Sequence, residues 1–390
     1  MYRIVNRKKL LLTHIADAIS RQVSGMFRHS DTVTEIMPEF VKRILIIRTA
    51  YIGDVVMTMP MIKPLKHRFP EARISFLTSR AAAPLLKHHP DIDSVLEFDP
   101  FWFYSVNPAG YLKFIRKLIH CRFDLIIEAR GDIRDLLFLV FPMKARYKLS
   151  YAIGGGSFVL THVVPHPHIN HRVDYHLDIV KFLGGNTDQY HLDWGGYETP
   201  EEAHHVRKVF EENNISMPFW CAHPGSRLPL KRWSDDGYAA AFDRIMTEIQ
   251  QPLVLLGSAQ EITEIQRIAD RMKHRPHIIA GKIDLRAMSG IIRRASLFVC
   301  NDSAPMHIAS ALKTPTAAIF GPSKSDQTGP WNTASVVIEK PCACRNQCDE
   351  HTCTNTTYQY CMKMITVTDV VDAAIALWKR TGIQKSNEWG

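Results

Sequence analysis

Val41-Lys42-Arg43-Ile44-Leu45-Ile46-Ile47-Arg48, followed by Thr49-Ala50-Tyr51-Ile52-Gly53-Asp54, opens the body of the chain. The β-branched apolar run is too short for a helix and reads as a buried strand, and the residues after it turn the chain. A helical stretch then runs through Leu65 to Arg68, with Pro60 tolerated only near its first turn or at a kink. Residues 73–78 read as a second strand, 81–88 as a helix, 94–98 as a strand, 111–119 as a helix and 123–128 as a strand. That β-α-β-α alternation predicts a parallel sheet covered on both faces.

The alternation restarts after 194–200, a Gly-, acid- and Pro-containing stretch that reads as a linker. Helices are predicted at 201–213, 238–250, 261–272, 287–294 and 305–312, and strands at 220–223, 253–256, 297–300 and 316–320, with a closing helix over 367–379. The fold class is therefore α/β, with two doubly wound domains of similar size. Such folds bind ligands beyond the carboxyl ends of their strands, and with two domains the expected site is the cleft between them. The predicted division is an N-terminal extension over 1–40, a first domain over 41–197, a second over 198–365, and a closing helix and tail over 366–390.

The 390 residues are 46% hydrophobic and 22% charged, ordinary globular values that exclude a fibrous or disordered chain. No apolar run approaches the ~18 residues of a membrane span, which excludes a multipass transporter. The longest, Leu136 to Phe141, has six residues and fits a buried segment. The net charge of +9, from 48 basic against 39 acidic residues, suggests an anionic partner. Its basic residues are scattered rather than gathered in one run, which speaks against nucleic acid.

Residues 1–43 carry eight basic and four acidic residues, and Leu11, Leu12, Ile15, Ile19 and Val23 recur at helical spacing. A basic amphipathic helix of this kind either packs on the body or lies on an anionic membrane surface. The apolar stretch Leu10–Leu12 is too short for a secretory leader, so a reducing cytoplasm is the expected compartment. Cys121, Cys221 and Cys300 stand alone in apolar contexts and read as buried thiols.

The dinucleotide fingerprint, the P-loop and the zinc-protease pattern are absent; Gly154-Gly155-Gly156 is only a partial match to the first. Asn301-Asp302-Ser303-Ala304-Pro305-Met306-His307 sits between a strand and a helix. Asp302 or Ser303 can cap that helix, with Pro305 at its start, and such helix ends bind phosphate. His223-Pro224-Gly225-Ser226-Arg227, with Lys231-Arg232-Trp233 behind it, ends another strand in the same half. Gly225 permits close backbone approach, and Lys231 and Arg232 can neutralise a diphosphate. The 301–307 segment alone reads first as an ordinary capped helix, but two such loops in one domain describe a nucleotide-diphosphate site.

From about residue 41 to residue 380 the chain resembles the ADP-heptose:lipopolysaccharide heptosyltransferases of glycosyltransferase family 9. The resemblance rests on Ile44-Leu45-Ile46-Ile47-Arg48 leading to Gly53-Asp54-Val55-Val56 and Pro60, and on Phe123-Asp124 with Arg130-Gly131-Asp132. It continues through His223-Pro224-Gly225-Ser226, Lys231-Arg232-Trp233, Asn301-Asp302-Ser303 with Pro305-Met306-His307-Ile308-Ala309, and Gly321-Pro322-Ser323. It implies the two-domain GT-B arrangement, with an ADP-sugar donor on the C-terminal half, a lipopolysaccharide or glycolipid acceptor on the N-terminal half, and no required cofactor.

By position, the resemblance makes Asp54 the catalytic base of an inverting transfer. The helix start expected there favours its anion, and a plain helix-capping role is the alternative. Lys231 matches a phosphate-binding lysine, Glu261 an acid that contacts the donor ribose, and Asp302 and His307 the donor-side motif. With Gly225, Ser226, Arg232, Ser303 and Ala304 these form the expected donor set. Ala304 replaces a glycine common in the family, and Ser234 a proline; Ser234 can serve as a helix cap instead. Arg130, Asp132 and Arg134 are the candidate acceptor grip, against a plain surface salt-bridge cluster. Asp91-Ile92-Asp93 looks like a metal motif but reads as a turn.

Cys342, Cys344, Cys348, Cys353 and Cys361 crowd into residues 342–361 around His351. Their spacing is compatible with a structural zinc. Similar cysteines occur near the C-terminus of many family members, and the scaffold reading is preferred over a metal or a disulfide. The leading expectation is an inverting heptosyltransferase on the inner face of the inner membrane. The alternatives are an idle nucleotide- or glycan-binding module, a transferase using another nucleotide sugar, and a sugar-nucleotide epimerase.

Overall fold

The computed structural model describes residues 35–104, 106, 108–165, 171–188 and 198–381. The amphipathic helix predicted within 1–40 and most of the linker at 194–200 lie outside them. The chain divides into two compact units, Met1–Tyr190 and His191–Gly390.

In the first unit the apolar runs become strands β1 (Arg43–Arg48), β2 (Arg73–Thr78), β3 (Ser94–Glu97), β4 (Leu125–Glu128), β5 (Tyr147–Ser150) and β6 (His162–Val163). They form one sheet in the order β3-β2-β1-β4-β5-β6, with every pairing parallel. Ile44 of β1 lies opposite Ile74 on one side and Leu125 on the other. Ile44 through Ile47 are fully buried because helices cover both faces of a parallel sheet. Each such side chain contributes about 1.5–3 kcal/mol relative to exposure. Leu45, Ile47, Leu77 and Ile126 pack with Ile115 and Leu118 of the helix Ala109–His120.

The second unit repeats the plan. Its strands are β7 (Trp220–His223), β8 (Leu253–Leu255), β9 (His277–Ile278), β10 (Phe298–Asn301), β11 (Thr316–Ile319) and β12 (Ser335–Ile338). They are parallel in the order β12-β11-β10-β7-β8-β9. Trp220, Tyr238 and Phe242 centre the core, and the closing helix Val367–Thr381 lays Val370, Val371, Ala374 and Leu377 on it. Counted within each unit, the two sheets share one strand order. Their directions of winding reverse between β1 and β4 in the first and between β7 and β10 in the second.

Several expectations are corrected. The helix predicted over 81–88 shortens to Ala83–Leu86, ending before His88 at φ 69°. The helix after β1 is two helices, Ile52–Thr58 and Ile62–Arg68, joined by a 3₁₀ turn that holds Pro60. The segment Leu136 to Phe141 is only half buried. It forms a wide π-type turn with Leu137, Phe138 and Phe141 exposed. Cys221 and Cys300 are buried as expected, whereas Cys121 is partly exposed and donates its thiol to the Lys117 carbonyl. No described helix is long and apolar enough to cross a membrane.

Candidate active site

In both units the candidate residues other than Glu261, which follows β8, fall after the two strands that flank the reversal, where doubly wound sheets hold their ligands. Asp54 lies in the first turn of the helix Ile52–Thr58, one turn past β1. It is not the helix cap: Tyr51 holds that position, at φ 21° and ψ 145°, without a side-chain capping bond. Tyr104 fastens the bend by donating its hydroxyl to the Thr49 carbonyl at 3.2 Å.

Arg48, the last residue of β1, places Nη2 2.8 Å from Asp54 Oδ1. The arginine side chain is 7% exposed and that of Asp54 28%. Beneath the pair, Thr58 donates to the Asp54 carbonyl at 2.8 Å and meets His176 Nε2 at 3.2 Å. Burial first, and then the Arg48 charge, hold His176 well below the ordinary histidine range, so it is neutral. Among the described residues, Nε and Nη1 of Arg48 and Nδ1 of His176 are buried polar atoms without a hydrogen-bond partner. This guanidinium is therefore poorly matched for packing alone.

The loop after β4 is built on acids. Gly131, at φ 77°, adopts a left-handed turn and donates its N–H to Glu128 Oε2 at 2.6 Å, while Ser150 donates to the same oxygen at 2.7 Å. Burial, reinforced by Asp135, pushes Glu128 up to about 8. Asp135 is itself raised by burial and by Asp132, and accepts from Thr49 and from Trp102 Nε1. Asp132 caps the short helix Ile133–Asp135 and binds Arg134 at 2.8 Å and Arg130 at 3.7 Å. Burial alone would raise Asp132, but the two guanidiniums outweigh it and hold the carboxyl below its usual range. Both guanidiniums also stand over the Phe103 ring, at 4.7 and 4.4 Å. The structure thus brings Arg130, Asp132 and Arg134 together as one stacked cluster.

In the second unit Asn301 is the fastener. Its Oδ1 accepts from Tyr238 at 2.7 Å and from the Trp233 amide at 3.3 Å, and its Nδ2 donates to the Pro224 carbonyl. The loop after β7 is thereby locked to the end of β10. Lys231 closes the 3₁₀ turn Pro229–Lys231 with Nζ 2.8 Å from Asp302 and 3.1 Å from Glu350. Burial would lower this lysine, but the two carboxylates outweigh it and hold it above the ordinary value.

Glu261 sits 3.4 Å from His223 and closes a capping box with Ser258. Burial would raise its carboxyl, yet His223 and then Ser258 pull it down to about 2. A Cβ at Gly225 would displace the Glu261 carboxylate from its present place. The close approach expected at Gly225 is therefore made to Glu261. Arg232, expected beside a diphosphate, instead donates to the Ser226 carbonyl at 2.6 Å and to Glu264 at 2.7 Å, stiffening the loop. Ser303 occupies the cap position of the helix Ala304–Ala311 without a side-chain capping bond, and Asp302 is turned to Lys231 instead. Pro305 and His307 are buried in that helix. Ser234 does cap its helix, accepting from Gly237 at 3.1 Å. Asp93 spends its carboxylate on the Ile74 amide, as a turn residue does.

Arg48 and Asn301 were singled out in the sequence only as motif positions. Glu128, Asp135, His176 and Glu350 were not singled out. Glu128 carries a signal, because it ends a strand beside the reversal; Glu350 carries none, because its contact is made across the Cys-rich segment. In that segment Cys342 and Cys344 place their sulfurs 3.0 Å apart and all five cysteines are free thiols. No group of three or more His, Cys, Asp or Glu among the described residues is arranged to hold a metal ion.

Two parallel doubly wound sheets, each with charged loops at its reversal, are the architecture of the GT-B fold. Residues 111–359 match the family described as glycosyltransferase family 9 (heptosyltransferase), and the chain belongs to that family. It is 26% identical over 297 residues to lipopolysaccharide heptosyltransferase 3 of Escherichia coli K12, covering 72% of this chain and 83% of that one. The family 9 glycosyl transferase of Veillonella parvula superposes with a TM-score of 0.74 at 18% identity, covering 89% of this chain and all (100%) of that one. The ADP-heptose lipopolysaccharide heptosyltransferase II of E. coli superposes at 0.69 and 21% identity, covering 87% and 100%. The protein is a glycosyltransferase.

Proposed function

We infer that the protein transfers a heptose, with inversion, from ADP-heptose to a hydroxyl of a lipopolysaccharide core or related glycan. The observation that carries this reading is the placement of Asp54 after β1 and Lys231 after β7, each beside the reversal of its sheet. The relatives that bear ADP-heptose and lipopolysaccharide in their names supply the donor and acceptor classes.

In this reading the acceptor hydroxyl attacks the anomeric carbon while the bond from that carbon to the diphosphate oxygen breaks. The hydroxyl proton passes to the Asp54 carboxylate, and Lys231 neutralises the charge gathering on the departing ADP. Arg48 holds Oδ1 of Asp54 and so orients the carboxylate that takes the proton. Glu261, Asp302, Ser303, Ala304 and His307 line the donor side with Gly225, Ser226 and Arg232, and Arg130 and Arg134 grip acidic groups of the acceptor. No resident metal or cofactor takes part in this scheme. The work belongs to the cytoplasmic face of the inner membrane, where a lipid-linked acceptor is presented.

The test is Asp54→Asn. Transfer should fall by about 10²–10⁴-fold while ADP binds as tightly as to the parent protein. Undiminished transfer by this variant would overturn the assignment of the base.

A further inference from the structure

The first unit exposes a set of large apolar side chains that the site does not use. Phe101 is 38% exposed, Leu112 61%, Ile119 38%, Leu137 37%, Phe138 37% and Phe141 60%. They come from the turn after residue 100, the helix Ala109–His120 and the turn Leu136–Val140. Tyr111 joins the three: its ring lies 6.2 Å from Phe101 and 6.0 Å from Phe138, and its hydroxyl donates to the Phe138 carbonyl at 2.7 Å. Single exposed apolar residues are ordinary, but several on packed elements joined by ring contacts mark an interaction surface.

The two segments that build it carry charge of one sign. Residues 100–123 contain Lys113, Arg116, Lys117 and Arg122, residues 136–148 contain Lys144, Arg146 and Lys148, and neither segment has an Asp or Glu. These seven basic residues compare with a net charge of only +9 for the whole chain. On the helix, Lys113, Arg116 and Lys117 share the exposed half with Leu112 and Ile119, while Ile115 and Leu118 are buried against the sheet. Apolar tips and bases on the same segments match the boundary of an anionic bilayer, where rings and leucines enter the acyl region and lysines meet phosphates. A second copy of the chain would set basic surface against basic surface across a two-fold axis, which like charges oppose.

We propose that this surface docks the protein on an anionic lipid bilayer. Trp102 connects it to the loop after β4. Its ring stacks 5.0 Å from Phe138, its Nε1 donates to Asp135 at 2.9 Å, and its carbonyl accepts from Arg134 at 3.0 Å. Docking therefore brings Arg130 and Arg134 to headgroup level, where a lipid-anchored acceptor presents its sugars. Only that last consequence rests on the transferase reading.

The experiment is flotation of the full-length protein with vesicles of phosphatidylglycerol and phosphatidylcholine, against phosphatidylcholine alone. Two double variants are run beside it, Leu112→Ser with Phe141→Ser and Lys113→Glu with Lys117→Glu, all at exposed positions, with folding checked by circular dichroism. The parent should bind the anionic vesicles, less so at high salt, and each variant should bind at least about tenfold more weakly. Equal binding to neutral and anionic vesicles, or variants that bind like the parent, would overturn the proposal. So would a dimer in light scattering that the apolar variant dissociates. None of these readouts involves Asp54 or ADP, so docking and transfer stand or fall separately.

Discussion

Arg48 is the residue whose chemistry the packing leaves unexplained. A guanidinium 7% exposed, with two nitrogens lacking partners, sits badly unless its contact with Asp54 is needed. Its role in the proposed transfer is to position the carboxylate rather than to touch substrate. Arg48→Met should lower kcat by about 10²-fold with little change in the donor KM, and Arg48→Lys should restore most of the loss. A variant that instead raises KM and leaves kcat alone would place Arg48 in donor binding. Arg48 was legible only as the end of a strand, because the contact that gives it meaning is made by a side chain six residues on, through a helix start the sequence placed only approximately.

Most strands inside a sheet, which require continuous apolar runs, were legible: β1, β2, β4, β7, β8, β10 and β11 were all predicted, as was the edge strand β3, with ends shifted by at most two residues. Three of the four strands that escaped, β6, β9 and β12, are edges, and two of them span only two residues. An edge strand pairs on one side and needs no apolar run. The fourth, β5, is interrupted by Lys148 and has no continuous apolar run. Yet β4 and β5 carry the pair with the largest consequence for pH, Glu128 and its partner Ser150.

Glu128 is raised from 4.5 to about 8, so the folded unit holds its proton more tightly than the unfolded chain. Its contribution to stability is complete below about pH 4.5 and is lost as pH rises through about 8. Glu261 runs the opposite way. Lowered from 4.5 to about 2, it stabilises the fold above pH 4.5 and fails as pH falls toward 2. Thermal midpoints measured from pH 5 to 9 should therefore decline more steeply for the parent than for Glu128→Gln, whatever their absolute heights. Identical slopes would show that Glu128 does not titrate in that window.

At the level of the whole chain, the two units carry one strand order, and the residues proposed to carry the transfer sit at the same address in each. That address was legible: the alternation of strands and helices predicts where ligands bind, and Asp54, Lys231 and Asp302 all fall there. The partners of those residues were not legible. Glu350 reaches Lys231 across 119 residues of sequence, and Arg232, which looks free to meet a phosphate, is engaged by Glu264. Local pattern reports what a backbone does; long-range ion pairs depend on the finished packing.

Calorimetric titration with ADP, UDP and GDP, on the parent protein and on Lys231→Ala, tests the transferase account at its donor end. The account predicts binding selective for ADP that weakens by about ten- to a hundredfold when the Lys231 ammonium is removed. Preference for UDP or GDP, or ADP binding indifferent to Lys231, would contradict it.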